Sequence, residues 1–306
     1  MTLTPLVSVV LPSTGSPWLG EAISSVLAQT MTDFELIVVD STAAGDLDLS
    51  AWSDHRIRVL KVPWSGVAAA RNAGNSAARA PYIAVIDHDD RWLPAKLERQ
   101  LPHLEASPEV GMCHTQYQRI DASGAVIGLG FASPMSRANF LAGDWFGVLH
   151  STTLWRRSVI EQVGGYDPRF TLASDYDLFL KVLIASKVIF EPSVQAEYRL
   201  HDDNLSHCYK GQYSTLLTVF RQHLPVLASQ AGHTNPTRRQ RTILERSLRA
   251  AYFGLAWDAT VAGVRARQFK SALGHGLFAA RLNPLLAGRL LAKSGWHRLA
   301  DLLPGS

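Results

Sequence analysis

The sequence predicts an α/β protein: a Rossmann-like, mostly parallel central sheet flanked by helices, with an appended C-terminal helical region. Three observations carry this reading. Short apolar runs alternate with helically spaced ones over the first hundred residues, and those runs stop on an acid or a small-residue loop. Beyond about residue 210, glycine-rich loops give way to long helical patterning rich in arginine. The chain therefore divides into residues 1–210 and 211–306, the first part having halves of about 1–100 and 101–210.

Each element follows from its local pattern. Val7 to Leu11 is a short apolar run closed by Pro12, Ser13, Thr14 and Gly15, as expected of a buried parallel strand opening into a loop. Pro17 suits a helix start, and Leu19, Ile23, Val26 and Leu27 share one helical face. Phe34 to Val39 is a second strand ending on Asp40 and STAAGD, and IRVLKV, broken by Pro63, is a third. GVAAARNAGNSAARA predicts a helix whose small side chains let it approach the sheet closely, and PYIAVID supplies a fourth strand. A helix is expected from Trp92 to about Glu105 and a strand from Val110 to Ile120. Residues 121–147 carry Gly124, Gly128, Gly130, Pro134 and Gly143 in mixed company, which predicts irregular structure with one or two short strands. STTLWRR leads into a short helix ending at Gly164 and Gly165, DYDLFLKVLIAS is a further helix, and AEYRL a final strand.

Composition narrows the function. A chain of 306 residues, 47% of them apolar, can bury a large core. A formal charge of +4 is too small an excess to argue for nucleic acid as partner. Cys113 and Cys208 lie far apart without metal-ligand spacing and read as reduced thiols, which fits a cytoplasmic setting. The N-terminus has no basic run ahead of its apolar one, and no uninterrupted apolar stretch suffices for a membrane span. The basic faces of the C-terminal helices leave two readings open: contact with anionic lipid at the inner face of a membrane, or a solvated face on a bundle.

The chemistry concentrates in VIDHDD, residues 85 to 90. Acids crowded at a strand end repel unless a cation sits among them, and a hard divalent ion such as Mg or Mn takes carboxylate oxygens and bridges them to phosphate. In an open parallel sheet this end of the strands is where ligands bind. Asp87 and Asp89 are read as that site, and Asp90 as a cap for the helix in RWLPAKLERQL.

At this point the chain resembles the family 2 glycosyltransferases of GT-A fold. The matching pieces run in the family's order: VSVVLPS, AISSVLAQTMTDFELIVVD, GVAAARNAGNSAARAPYIAVIDHDD, RWLPAKLERQL, RRSVIEQVGGYDPRF, SDYDLFLKV and YRLHDDNLS, over roughly residues 5 to 207. The resemblance implies a metal-dependent inverting transfer from a nucleotide diphosphate sugar to a hydroxyl acceptor, a glycan or lipid-linked saccharide, in surface polysaccharide or glycoconjugate synthesis. It implies that Asp87 and Asp89 are the Asp-x-Asp pair holding a divalent Mn or Mg, with His88 the variable residue among the nucleotide-sugar contacts. Pro12, Ser13 and Thr14 match the first nucleotide-binding loop, and Asp40 the acid that recognises the base, unless Asp40 closes an Asx turn. Arg71 matches an arginine that binds phosphate or pairs with a nearby aspartate. Asp175 matches the acceptor-deprotonating base, helix capping being its other reading, with Ser174 in place of the usual glutamate beside it. His201 matches a late histidine that reaches the metal or diphosphate, and otherwise is a surface hydrogen-bonding residue. Trp145 and His150 are candidates to line the acceptor pocket, Trp145 being equally suited to the core.

Two departures stand out. PSTG replaces the common Pro-Thr-Tyr-Asn and so lacks an aromatic to stack on the base, and Ser41, Thr42 and Ala43 replace a loop that usually begins Gly-Ser. Two other readings remain: a sugar nucleotidyltransferase, which would need a glycine- and arginine-rich loop that PSTGSPW lacks, and a catalytically silent nucleotide-sugar-binding protein of the same fold.

Overall fold

A computed structural model describes residues 4–43, 45, 47–144, 147–202, 204, 208–232, 236–265 and 269–287. Its centre is a nine-stranded sheet in which the strand order is β3-β2-β1-β4-β8-β6-β9-β5, with β7 on β6. Strands β1 (Val7–Ser13), β2 (Phe34–Asp40), β3 (Ile57–Lys61) and β4 (Tyr82–Val85) are mutually parallel, as the sequence predicts. The second half is mixed. β8 (Thr153–Arg156) runs against both β4 and β6 (Val110–Ile120), β9 (Lys187–Arg199) runs with β6, and β5 (Arg91–Trp92) and β7 (Val126–Leu129) pair antiparallel with β9 and β6.

Alternation along the strands builds two cores. Val10, Ile37, Val39, Ile83 and Val85 face one side, and Val9, Leu11, Leu36, Val38 and Ala84 the other. Helices α1 (Leu19–Leu27) and α3 (Lys96–Glu105) cover the second side. On the first side α2 (Val67–Ala77) lies close to the sheet: a Cβ at Gly74 would collide with Val10, so the glycine sets the approach. The same side takes α4 (Arg137–Ala142), α5 (Arg157–Gln162) and α6 (Ser174–Ala185).

The helices after residue 210 continue this core. Leu216, Val219, Phe220, Leu224 and Leu227 of α7 (Tyr209–Gln230), with Leu244, Leu248 and Tyr252 of α8 (Arg238–Arg265), join Leu178, Phe179 and Val182 of α6 in one apolar cluster. The change of composition near residue 210 therefore marks a change of element type while the packing runs on. α9 (Phe269–Leu282) packs on α8 and leaves Leu273 and Leu277 exposed. No helix of the described residues is long and apolar enough to cross a membrane.

Three elements differ from expectation. The helix predicted from Trp92 starts only at Lys96, because Arg91 and Trp92 are drawn into the sheet beside Glu197 and Ala196. STTLWRR holds a strand, β8, before its helix, and AEYRL is the end of a strand of 13 residues.

Candidate active site

β1, β2 and β4 end side by side, and their C-terminal loops form the floor of the site. β1 lies between β2 and β4, so the chain leaves it in opposite directions, which opens the crevice where such sheets bind ligands. Pro12 and Ser13 close β1 opposite Val39 and Asp40, and Thr14 is exposed beyond them. The Ser13 hydroxyl meets His88 Nδ1 at 3.1 Å and accepts from the Gly15 amide, tying the first loop to the acidic one.

Asp40 is 1% exposed and committed to its own loop. It accepts from the Thr42 amide and hydroxyl at 3.0 and 2.7 Å and from the Leu47 amide at 3.2 Å. Burial works against its charge, but these donors prevail and hold its carboxyl below the ordinary value. The geometry is the Asx turn, with Thr42 supplying the hydroxyl that this chain has after its departure from Gly-Ser.

In the loop after β4, alternate acids have different neighbours. Arg71, nearly buried in α2, donates to Asp87 Oδ1 at 2.5 Å, and its guanidinium lies 5.7 Å from the Tyr166 ring centre. Burial works against the Asp87 charge, yet Arg71 beside it keeps the carboxyl below its usual range. Arg71 Nε is buried without a protein partner among the described residues. Asp89 meets His201 Nε2 at 2.9 Å, both side chains being mostly buried. His201 is further placed by Asn204, which accepts from its amide at 2.7 Å, and by Trp18, whose ring centre is 4.5 Å away.

Asp90 is 1% exposed and faces inward. It accepts from the Ser151 hydroxyl at 2.5 Å and the Arg199 amide at 3.0 Å. It is not the expected helix cap: β5 intervenes, and α3 begins at Lys96 behind Ala95 with no side-chain cap. Burial first, then repulsion from Asp89 and Asp87, pushes its carboxyl well above the usual value. Arg199, fully buried, donates to the Asp89 carbonyl, to Asp121 and Ala122, and to Glu21, so one guanidinium clamps the acidic loop, the turn before β7 and α1.

The opposite wall is the start of α6. Asp175 sits at the second helical position, behind the N-cap Ala173, and accepts from the adjacent Tyr176 amide, so it does not cap the helix. Burial raises its carboxyl above the ordinary aspartate range; the Arg71 charge acts downward and the Asp87 charge upward, which puts Asp175 within electrical reach of that pair. Ser174 beside it is buried. Ala173 has φ of 59°, the single positive value of a non-glycine among the described residues. His150 is buried, its Nδ1 3.3 Å from the Tyr166 hydroxyl, and burial with the nearby Arg71 charge holds it well below its usual pKa. Trp145 lies outside the described residues.

Sequence reasoning missed Trp18, Ser151, Tyr166 and Arg199. GGYD, where Tyr166 stands on two glycines with φ of 79° and 66°, was the available sign for one of them. Among the described residues no group of three or more His, Cys, Asp or Glu is placed to hold a metal by itself. Asp89 and His201 nevertheless fit such an ion in kind: a carboxylate oxygen and an imidazole nitrogen lie 2.9 Å apart at the crevice.

These features define a class. Residues 8–164, just over half of the chain, match the family described as Glycosyl transferase family 2, and the chain belongs to it. It is a glycosyltransferase of GT-A fold. Among relatives, an uncharacterized glycosyltransferase of Rickettsia typhi is 29% identical over 241 residues, 75% of this chain and 74% of its own length. The chondroitin synthase of Pasteurella multocida is 24% identical over 208 residues, 66% of this chain but 21% of that protein. Among solved structures, mannosyltransferase PcManGT from Pyrobaculum calidifontis in complex with GDP-Man and Mn2+ gives a TM-score of 0.58 at 18% identity, covering 97% of this chain and 81% of that one. Residues 1–349 of S. aureus TarS in complex with UDP-GlcNAc give 0.57 at 11% identity, covering 90% and 91%. At such identities the likeness is one of fold.

Proposed function

We propose that this glycosyltransferase is metal-dependent and inverting, moving a sugar from a nucleotide diphosphate donor to the hydroxyl of a glycan or lipid-linked saccharide, in the making of surface polysaccharide or glycoconjugate. The observation that carries the reading is the placement of Asp175, a partly buried carboxyl at the start of α6, within electrical reach of the Arg71–Asp87 pair. A base must stand near the acceptor oxygen and hold a pKa suited to taking a proton at working pH.

Asp89 and His201 would hold the ion, Mn or Mg. When bound, it offsets charge on the departing diphosphate. Arg71 stabilises Asp87 as an anion, ready to accept hydrogen bonds from donor hydroxyls. Ser13, held by His88, shapes the first nucleotide loop with Pro12 and Thr14, and Asp40 shapes the second. Asp175 takes the acceptor proton as that oxygen attacks the anomeric carbon and the bond from this carbon to the diphosphate oxygen breaks. His150, buried against Tyr166, and Ser174, buried beside Asp175, support the acidic loop and the base from behind instead of lining the acceptor pocket as the sequence suggested.

The acceptor side is apolar. Val126, Ile127, Leu129 and Phe131 are each about half exposed or more along β7 and the chain after it, and the turn leading into β7 is bonded to Trp18 and Arg199 beside the site. Such a ridge supports an acceptor with a lipid portion. Contact of the basic C-terminal helices with the inner face of a membrane belongs to the same proposal.

The test is a thermal-shift screen of UDP, GDP and dTDP with Mn2+ or Mg2+, followed by transfer assays with the matching sugars. The donors of the two structural neighbours put UDP and GDP first. A metal-dependent rise in Tm with one nucleoside diphosphate is expected. Equal shifts with and without metal would overturn the metal assignment.

A further inference from the structure

We infer that His223, on α7 and outside the segment that matches the family, is a positioning residue for the transfer reaction: it holds the helix that carries Asp175 through the buried carboxylate of Asp177. The inference rests on Asp175 as the base. It makes the C-terminal helices a working part of the active site.

Asp175 and Asp177 stand two apart on α6 and so project from different faces. Asp177 is 0% exposed, where a carboxylate is costly unless it is paired. Its Oδ1 lies 2.7 Å from His223 Nε2, 46 residues away, and its Oδ2 2.6 Å from the Lys181 ammonium one turn on. Lys181 also donates to the Gly165 carbonyl at 3.3 Å. The next residue, Tyr166, is bonded at both its amide and its carbonyl by Asn72, the neighbour of Arg71 in α2. One buried acid therefore links α7, the helix of the base, the GGYD loop and the helix whose arginine holds Asp87.

The surrounding contacts agree. Phe220 of α7 packs against Tyr176, with ring centres 6.3 Å apart. Gly211, at the start of α7, fits against Leu172 in the segment before α6, where an added Cβ would come within 2.7 Å of Leu172 Cδ1. The left-handed backbone of Ala173, where α6 begins, is disfavoured for a residue with a Cβ and persists only where neighbouring structure imposes it. Helix α6 thus enters against a local preference and is held from the side opposite its base. A shift of about 1 Å in a reacting group costs on the order of a hundredfold in rate.

The experiment uses the full chain with His223→Leu, which keeps apolar volume and loses the donor, and His223→Gln, which keeps an N–H. Hydrogen exchange is read over residues 172–180, and transfer kinetics with the accepted donor. For His223→Leu, exchange in that segment is expected to speed up with little change in β1 to β4, and kcat to fall about tenfold or more with donor KM unchanged. His223→Gln should recover most of both. Unchanged exchange over 172–180 in the Leu variant would overturn the proposal, as would a Gln variant no better than Leu, or a loss of donor binding in step with kcat. Should His223→Leu not fold, His223→Leu with Asp177→Asn removes the stranded charge, and the same faster exchange is required of it. If the wild type transfers no sugar from any donor, the functional reading fails, while the exchange measurement still decides the tie.

Discussion

The loop after β4 and the start of α6 bring acids to the crevice in the same way and keep them differently. Each leaves one acid partly exposed, Asp89 or Asp175, and buries a companion, Asp90 or Asp177, against residues far along the chain. Asp90 is met by a hydroxyl and an amide and is crowded by Asp87 and Asp89, so its carboxyl is pushed well above its usual pKa. Asp177 is met by a lysine ammonium and an imidazole. The difference teaches that an acidic stretch is a mixture: some acids keep partial exposure at the crevice, and their fully buried neighbours fasten distant elements, each in its own way.

The comparison breaks most visibly at Asp175. Asp175→Asn is expected to lower kcat about 10²- to 10⁴-fold while affinity for the nucleoside diphosphate survives, as measured by transfer rate and calorimetry. In the wild type, activity needs the ionised carboxyl, and burial has raised its pKa. The acid limb of kcat/KM should therefore lie above the ordinary aspartate value, with activity lost as pH falls through it. A limb at or below that value would show that another group titrates.

On the other cluster, Asp89→Ala should abolish the gain in UDP or GDP affinity that Mn2+ confers, a loss of roughly tenfold or more. An unchanged gain would remove Asp89 from the metal site. Arg71→Met should follow, since it strands Asp87 without its cation. The expected cost is about 2 kcal/mol in chemical denaturation, below the figure for a wholly buried pair because the Asp87 side chain keeps 32% exposure.

The smallest effect sharpens the contrast between fasteners. Because the folded state raises the Asp90 pKa, it favours the protonated form. The contribution of Asp90 to stability is thus present at low pH and lost as pH rises through the raised value. Asp90→Asn should match or slightly exceed the wild-type Tm near pH 7, its advantage shrinking toward pH 4. Marked destabilisation at pH 7 would show that the carboxylate form is what Ser151 and Arg199 hold.

Much of this arrangement is legible in the sequence because its elements are local. VSVVLPS, FELIVVD and YIAV read as strands from their own composition, and the acids and loops closing them mark the crevice. Asp87, Asp89, Asp175 and His201 emerge from short motifs. What escapes is non-local. Lys187–Arg199 carries Glu191 and Pro192 in its middle, which reads as a break, but pairing along β6 with irregular register accommodates both. β8 is four residues of mixed polarity whose strand state is imposed by β4 and β6 on either side. Asp90 seemed a cap because the helix after it looked longer, and only the pairing of Arg91 and Trp92 with β9 shortens it. The partners of Asp90 and Asp177, up to 109 residues away, leave no periodic trace.

Arg199 carries a consequence for the order of events in folding. It closes β9, and it reaches Glu21 across 178 residues and the Asp89 carbonyl across 110. Closing loops of that length consumes chain entropy before any contact returns it, so such pairings form late. β1 to β4 can come together while the nascent chain is still short, with the acids of β4's loop unclamped. The loop is clamped only when the strand ending at Arg199 docks, with His201 just beyond it, so a nascent or truncated chain would have the acids in place but unfastened.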